Sequence, residues 1–245
     1  MAKLIKLPHT GLVEEGRHSK MIESLASIIS RYNLNIKGAI HLGACKAEER
    51  YEYRACEIDR VIWVEANPDL LPIIRKNLYD FDENFQNVFD YAISDVDDST
   101  VDFKIIYPDD RQNYHNFPEQ GNCGCSSLLS LGKHKEYYPH IDEVSQVKVN
   151  TITLDTLFKR HEFNPKDFEF LNMDLQGAEM KALEGMKKYL ESGSCKVIYT
   201  ELAFEELYVG GAKASEIDEF LSGYGFDRVD TYMAHHSWGD GVYLR

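Results

Sequence analysis

The feature that most constrains this chain is a regular alternation of short apolar segments with amphipathic ones. The apolar segments have the length of buried strands, and helical patterns separate most of them. They lie at residues 38–42, 61–65, 88–93, 101–107, 147–152, 168–173 and 195–200, followed by a closing pair at 226–232 and 241–245. This alternation predicts an α/β fold with a mostly parallel sheet and helices on both faces. In such a fold the ligand binds outside the carboxyl ends of the strands.

Capping residues mark where the helices are expected to begin. Ser19 would cap a helix before the first strand, one that packs on the sheet edge or covers the ligand site. Asn67-Pro68 predicts another helix start, with Asn as the cap and Pro in the first helical position. Further helices are expected at residues 46–56, after Thr153, between Asp174 and Gly193, and after Ser215. Residues 108–127 show no period, which predicts a long binding loop.

The charge of the chain argues against some classes of partner. Asp and Glu number 41 against 27 Lys and Arg, a formal net charge of -14, so a nucleic-acid partner is not expected.

The five cysteines are scattered, which predicts free thiols and not a disulfide framework. No apolar run approaches the ~20 residues that span a bilayer, and no signal-peptide core opens the chain. We therefore expect a cytoplasmic protein without a membrane span.

Two strand ends carry the pattern of a nucleoside site. Gly43 follows the first strand of the alternation, where a glycine lets the backbone approach a ligand closely. Glu65 ends the next strand, 22 residues later, and a carboxylate at this place can accept both hydroxyls of a ribose. An ordinary turn or a solvated carboxylate would explain either residue alone. Together they favour a ligand that carries a nucleoside.

A third group of polar residues follows the strand at 168–173. Asp174 stands where the crevice is expected and could act as a general base, a cation ligand or a partner for the amino acid end of a cofactor. A helix-capping role would explain Asp174 alone. It would not explain Gln176 and Glu179 beside it.

Four stretches of the chain resemble the FkbM family of methyltransferases. They are His41-Leu42-Gly43-Ala44, Val64-Glu65-Ala66-Asn67-Pro68, Ser126-Ser127-Leu128-Leu129 and, most specifically, Met173-Asp174-Leu175-Gln176-Gly177-Ala178-Glu179. The resemblance implies a Rossmann-like methyltransferase fold, with a mostly parallel seven-stranded sheet and helices on both faces. It also implies S-adenosylmethionine as the cofactor and O-methylation of a sugar, glycan or related small molecule. We expect residues 37–245 to form this domain and residues 1–36 to form an N-terminal helical extension.

The resemblance also assigns residues to the two ligands by their positions. The cofactor side comprises His41, Gly43, Ala44, Glu49, Glu65, Ala66, Asn67, Ser94 and Asp174, with Ser94 near the adenine. The substrate side comprises Ser126, Ser127, Gln176, Glu201 and Tyr208. Many members of the family carry Asp at the position of His41 and Gly at that of Ala47. Because His41 offers no carboxylate, Glu49 or Asp174 would hold the ammonium group of the cofactor.

Methyl transfer to a hydroxyl calls for a base near the acceptor oxygen. Asp174 and His134 are the candidates, the latter because an imidazole titrates near neutral pH. Magnesium at Asp174 and Glu201 is a further expectation left open, since both residues end strands and offer oxygen ligands. Two other functions also stay open from the sequence. One is a nicotinamide-dependent sugar oxidoreductase, although the full glycine fingerprint is missing; the other is a catalytically inactive cofactor-binding module.

Overall fold

The computed structural model describes residues 4–6, 12–14, 21–108 and 124–245. The strands are β1 (Leu4–Lys6), β2 (Leu12–Glu14), β3 (Gly38–Leu42), β4 (Arg60–Val64), β5 (Gln86–Phe89), β6 (Ala92–Ile93), β7 (Thr100–Pro108), β8 (Ile141–Ile152), β9 (Phe170–Met173), β10 (Val197–Ala203), β11 (Asp227–His235) and β12 (Trp238–Leu244). The α-helices are α1 (Leu25–Tyr32), α2 (Arg50–Ala55), α3 (Leu71–Asn77), α4 (His134–Tyr137), α5 (Leu154–Arg160), α6 (Glu179–Glu184), α7 (Lys187–Glu191) and α8 (Ala214–Ser222).

A seven-stranded sheet in the order β11-β12-β10-β9-β3-β4-β5 organises the described part of the chain. The strands β10, β9, β3, β4 and β5 are parallel neighbours, whereas β12 runs antiparallel to both β10 and β11. The predicted mostly parallel sheet is therefore confirmed. Because the parallel strands end at one edge of the sheet, their polar last residues are brought together there.

Alternate residues of each strand bury one of two apolar layers, since successive side chains point to opposite faces. Ile40 and Leu42 of β3 pack in the layer that α5, α6, α7 and α8 cover. Ala39 of β3 and Trp63 of β4 pack in the opposite layer, which α1, α2 and α3 cover. The helices thus lie on both faces of the sheet, as the sequence predicts.

A three-stranded sheet in the order β6-β8-β7 accompanies the main one. The strand predicted at residues 88–93 is divided, because β5 pairs with β4 in the main sheet and β6 pairs with β8 in the smaller one. The strand β8 begins at Ile141, well before the predicted residue 147. Its first half alternates buried and exposed side chains against β7, so it lacks the apolar run that marks a fully buried strand.

The capping residues of α1 and α8 differ from the predicted ones. Ser24 caps α1 by accepting a hydrogen bond from the amide of Ser27, and the expected cap Ser19 lies outside the described residues. Lys213 is the cap of α8, so Ser215 lies inside that helix and its predicted capping role is wrong. Helix propensity extends the first turn of α8 across Ala214, a strong helix former.

The helices α2 and α3 begin later than predicted because turns precede them. Cys45 and Ala47 adopt left-handed conformations, with φ of 46° and 54°, which an α-helix cannot contain. The side chain of Asn67 accepts from the amide of Asp69 and so caps a turn, and the helix itself starts at Leu71.

The segment before β3 is only partly helical, because β1 and β2 form an antiparallel pair ahead of α1. Leu25 and Ile28 of α1 are fully buried against Ala39 and Trp63 of the sheet. This helix is therefore part of the core, and the boundary at residue 36 stays a prediction. In the ranges that the structure describes, no helix has the length and apolar character needed to cross a membrane.

Candidate functional site

Two adjoining cavities open at the carboxyl ends of β3, β4, β9 and β10. The first, which we call the β4 cleft, is bordered by Glu65, Ala66, Tyr91, Ile93, Phe103 and Leu128. The second, which we call the β10 cavity, has a volume of about 410 Å³ and is bordered by His41, Glu49, His134, Tyr138, Glu201 and Trp238. Gly43, Cys45, Gly124, Asp174 and Gln176 border both spaces. The two cavities therefore adjoin along a shared border, and we call them together the crevice.

The turn after β3 approaches the turn after β9 so closely that only glycine fits. Gly43 has a φ of 81°, and an ideal Cβ on this residue would lie 1.9 Å from the carbonyl oxygen of Asp174. Its amide donates to the carbonyl oxygen of Val64, and the amide of Asp174 donates to that of Leu42. The glycine thus serves the contact between two loops of the protein, and this contact places Asp174 at the crevice.

The carboxylate of Glu65 is held in a fixed orientation at the β4 cleft. One oxygen accepts from the amide of Cys45 at 2.7 Å and the other accepts from the amide of Asn67, also at 2.7 Å. The residue is only 6% exposed. The two amides thus orient the carboxylate of Glu65 at the border of the cleft.

His41 is buried beneath the crevice and takes part in a network of polar side chains. The Nδ1 of His41 lies 2.9 Å from the hydroxyl of Tyr53, and the imidazole ring stacks on Trp63. The hydroxyl of Tyr53 also accepts from the side-chain amide of Asn172. The carboxylate of Glu49 lies 3.9 Å from the same Nδ1. Glu49 therefore brings a carboxylate to the β10 cavity at the place where His41 offers none.

Gln176 joins two carboxyl groups that the sequence separates widely. Its Nε2 donates to Asp174 Oδ1 and to Glu201 Oε2, each at 2.5 Å. Burial together with the nearby Asp174, Glu179 and Asp240 carboxylates raises the pKa of Glu201 well above its usual value. The structure thus brings together three of the residues predicted for the site.

This arrangement does not fit a magnesium ion. Among the residues that the structure describes, no three His, Cys, Asp or Glu side chains converge in a way that could hold a metal. The amide group of Gln176 is a hydrogen-bond donor, and it stands against the oxygens that a cation would need. The sequence-based expectation of Asp174 and Glu201 as magnesium ligands is not supported.

Glu179 shapes the turn between β9 and α6 from its place at the start of α6. Its carboxylate accepts from the amide of Leu175 at 2.8 Å and from that of Gly177 at 3.4 Å. Burial raises the pKa of this carboxyl to about 7, and the neighbouring Asp174 adds to the effect. Glu179 therefore holds the backbone of this turn, in which Gln176 has a left-handed φ of 54°.

Tyr208 and His134 form the next contacts beyond Gln176. The hydroxyl of Tyr208 lies 2.7 Å from Gln176 Oε1, 3.0 Å from the carbonyl oxygen of Cys125 and 3.1 Å from His134 Nδ1. His134 lies at the start of α4, is buried, and borders the β10 cavity. Burial lowers the pKa of this imidazole.

The two serines predicted for the substrate side bind the backbone of the protein. Ser126 Oγ accepts from the amide of Ile106 at 3.1 Å and borders the β4 cleft. Ser127 Oγ donates to the carbonyl oxygen of Gln176 at 2.8 Å, and Ser127 is buried. Both serines therefore hold the walls of the crevice together.

Four residues predicted for the cofactor side differ in how close they come to the crevice. Ala66 borders the β4 cleft and Ala44 borders the β10 cavity. Ser94 follows Ile93, which borders the cleft, and donates its own hydroxyl to Asp95 at 2.9 Å. Asn67 is fully buried in the turn before α3 and borders neither space.

One wall of the β10 cavity is formed by residues that the sequence analysis missed. The amide of Ile22 donates to Tyr199 Oη at 2.9 Å and to Asp240 Oδ2 at 3.1 Å, and Tyr199 in turn donates to Asp240. Burial raises the pKa of Asp240 to about 6. Met21 and Trp238 complete this wall. The one available signal was an acidic residue between two glycines in an apolar strand pattern at 239–241.

A sheet with one antiparallel strand and a crevice at the carboxyl ends of its parallel strands defines the class of Rossmann-like methyltransferase folds. Residues 41–228 match the Methyltransferase FkbM domain. The chain therefore belongs to the FkbM methyltransferase family, and the resemblance of the four sequence stretches is confirmed. No curated protein sequence matches the chain.

Several solved structures resemble the fold at low sequence identity. The methyltransferase FkbM from Methylobacillus flagellatus is 12% identical, with a TM-score of 0.49 over 85% of this chain and 43% of that one. This chain thus spans less than half the length of that relative. A precorrin-6y C5,15-methyltransferase from Geobacter metallireducens is 13% identical, with a TM-score of 0.43 over 90% and 86% of the two chains. A ribosomal protein L11 methylase from Lactobacillus delbrueckii is 8% identical, with a TM-score of 0.44 over 89% and 74%.

Proposed function

We propose that the protein is an S-adenosylmethionine-dependent O-methyltransferase that acts on a hydroxyl of a sugar, glycan or related small molecule. The observation that carries this proposal is the shared border of the two cavities. An oriented carboxylate, Glu65, borders the β4 cleft, a buried imidazole, His134, borders the β10 cavity, and the carboxylate of Asp174 borders both. Such a crevice can hold a nucleoside donor and an acceptor side by side.

The β4 cleft has the features that the adenosine part of the donor requires. The oriented carboxylate of Glu65 suits the two ribose hydroxyls. The side chains of Tyr91, Ile93 and Leu128 offer an apolar surface for a base.

The cationic part of the donor would then extend towards the β10 cavity. Asp174 borders both spaces, and Glu49 borders the second. A buried carboxylate stabilises a nearby ammonium group because the charges attract in a medium that water does not screen. Glu49 is therefore the residue proposed to take the place of the Asp that other family members have at position 41.

When S-adenosylmethionine is bound, it supplies a methyl group on a positively charged sulfur, and the new C–O bond forms as the C–S bond breaks with its electron pair left on sulfur. The protein's own contribution is to align the acceptor oxygen, to exclude water and to take up the hydroxyl proton. The contact between the turns of Gly43 and Asp174, at the junction of the two cavities, would fix this alignment. The aromatic rings of Tyr138 and Trp238 give the β10 cavity a surface on which a sugar ring can lie.

Calorimetric titration and a transfer assay test the proposal together. The protein is titrated separately with S-adenosylmethionine, S-adenosylhomocysteine and NAD, and we expect heat from the first two only. It is then incubated with S-adenosylmethionine labelled in the methyl group and a panel of hexoses and amino sugars. Label in an acid-stable, base-stable sugar ether is the expected product. Binding of NAD alone would contradict the proposal in favour of an oxidoreductase, and donor binding with no transfer to any hydroxyl would favour an inactive binding module.

A further inference from the structure

We propose that Gln176 and Tyr208 hold His134 in the tautomer with its proton on Nδ1, so that Nε2 is the base of the acceptor site. This inference rests on the proposed function and goes beyond it, because it selects between the two candidate bases and gives Gln176 and Tyr208 a positioning role. It follows from counting the protons in one buried chain of hydrogen bonds.

The chain begins at the amide of Gln176, whose orientation is forced by its neighbours. Its Nε2 lies 2.5 Å from both Asp174 Oδ1 and Glu201 Oε2. An amide oxygen at that place would face the carboxylate of Asp174, which can only accept, whereas the NH2 group has one proton for each of the two carboxyl groups. The amide oxygen of Gln176 must therefore point to the other side, where it meets the hydroxyl of Tyr208 at 2.7 Å.

The hydroxyl of Tyr208 has one proton and three close partners. Two of them, Gln176 Oε1 and the carbonyl oxygen of Cys125, can only accept. Burial and the nearby carboxylates of Glu201 and Asp174 raise the pKa of Tyr208 well above its usual value, so the hydroxyl stays protonated. Because its proton is committed to a carbonyl oxygen, the hydroxyl can only accept from the third partner, His134 Nδ1, at 3.1 Å.

The remaining ring nitrogen of His134 is then left as an acceptor. Nδ1 carries the proton in the neutral imidazole, so Nε2 has the basic lone pair. Within the residues that the structure describes, Nε2 makes no hydrogen bond, and the residue borders the β10 cavity. The ring of Tyr138 meets the imidazole edge-on at 5.0 Å and 90°, which keeps the ring plane fixed.

In the proposed step, His134 receives the proton of the acceptor hydroxyl. The acceptor hydroxyl gives its proton to His134 Nε2 as its oxygen forms the bond to the methyl carbon, and the imidazole becomes a cation. The positive charge that the donor sulfur loses is thus carried by His134. The carboxylate of Asp174 borders the same cavity as His134, and a negative charge there stabilises a new cation.

Nitrogen NMR of the protein labelled with 15N-histidine tests the tautomer directly, with no donor or acceptor present. The His134 signals are assigned by their loss in His134→Asn. We expect Nδ1 to have the shift of a protonated nitrogen and Nε2 that of an unprotonated one. In Tyr208→Phe the proton should move to Nε2 or divide between the two nitrogens, so that their chemical shifts exchange or become similar. The control is Tyr137→Phe, because the wild-type hydroxyl of Tyr137 donates to Glu205, and this variant should leave the shifts of His134 unchanged. A protonated Nε2 in the neutral wild-type imidazole would overturn the assignment.

Kinetics with the hexose that the wild-type protein methylates fastest test the base itself. His134→Asn keeps a donor near Tyr208 but has no base, so we expect kcat to fall by about 10²- to 10⁴-fold. The affinity for S-adenosylmethionine, measured by calorimetry, should stay within about 2-fold, because a lost base affects the transition state and not donor binding. A larger loss of kcat in Asp174→Asn than in His134→Asn would overturn the assignment and make Asp174 the base. A wild-type protein that binds no S-adenosylmethionine would instead overturn the proposed function, and the NMR result would still decide the tautomer.

Discussion

The ideal Cβ of Gly43 would lie 1.9 Å from the carbonyl oxygen of Asp174, so the turns after β3 and β9 are in direct backbone contact. This contact is the structural basis of the crevice, because it brings the end of β3 against Asp174, which borders both cavities. The glycine is thus required by the protein's own backbone, whether or not a ligand is bound.

Replacing Gly43 by alanine should unfold or severely destabilise the protein. The matched control is Gly193→Ala, because Gly193 has a similar φ of 71° but nothing within 4 Å of its ideal Cβ. The control should lose about 1–2 kcal/mol from the left-handed conformation alone, and Gly43→Ala should exceed it by about 2–3 kcal/mol or more. The free energy of unfolding from urea titrations measures both. Equal losses in the two variants would show that the backbone contact is absent.

Glu65→Gln should weaken the affinity for S-adenosylhomocysteine by about 10- to 100-fold, since hydrogen bonds to a charged group are worth about 1.5–3 kcal/mol. A glutamine retains the shape of the side chain but has one acceptor oxygen for a place where two amides already donate. Calorimetry at a temperature well below the unfolding transition measures the affinity. Glu83→Gln, an exposed position before β5, serves as the control for loss of one charge. Unchanged affinity in Glu65→Gln would remove the ribose role from this residue.

Glu179→Gln should become more stabilising, relative to the wild-type protein, as the pH rises. The pKa of Glu179 is raised to about 7 in the folded protein, so folding favours the protonated carboxyl. Its contribution to stability is complete below the unfolded pKa of ~4.3 and is lost as the pH rises through about 7. Glutamine keeps an acceptor for Leu175 and carries no charge, so the gain at pH 8 should reach up to about 3 kcal/mol.

Urea titrations at pH 5, 6, 7 and 8 measure this difference in the free energy of unfolding. Glu184→Gln, an exposed position on the same helix, controls for the removal of one formal charge. A difference between Glu179→Gln and the wild-type protein that shrinks towards pH 8 would contradict the expected direction.

Tyr199→Phe should loosen the segment that closes the β10 cavity. The hydroxyl of Tyr199 accepts from the amide of Ile22 at 2.9 Å, and its loss leaves that amide with Asp240 alone. Hydrogen exchange at Ile22, measured by NMR, should become about 5- to 10-fold faster, as expected for the loss of roughly one hydrogen bond. Tyr243→Phe is the control, because Tyr243 is on β12 and donates to Asp218 elsewhere. If both variants exchange alike at Ile22, the hydroxyl of Tyr199 does not hold this segment.

The parts of the site that the sequence predicts are those fixed by local rules. Gly43, Glu65 and Asp174 each follow a buried strand, and parallel strands end at one edge of a sheet, so their proximity follows from the alternation itself. The same rules missed the turns before α2 and α3, because left-handed residues such as Ala47 leave no mark in an apolar pattern.

The parts that the sequence could not predict depend on contacts between distant segments. Ile22 and Asp240 come together only through the order of the strands, and nothing local in either segment indicates a partner. From the sequence, Asp174 and Glu201 are expected to bind a cation, because both are carboxylates at strand ends. The structure replaces that cation with the amide of Gln176, whose orientation depends on both carboxyl groups at once.

A crystal structure with S-adenosylhomocysteine bound tests directly whether Glu65 holds the ribose of the donor. We predict that the ribose hydroxyls lie ~2.6–3.2 Å from the two oxygens of Glu65, that the adenine lies in the β4 cleft, and that the sulfur points towards Asp174. A bound ligand whose ribose makes no contact with Glu65, or crystals that take up no ligand at saturating concentration, would contradict this prediction.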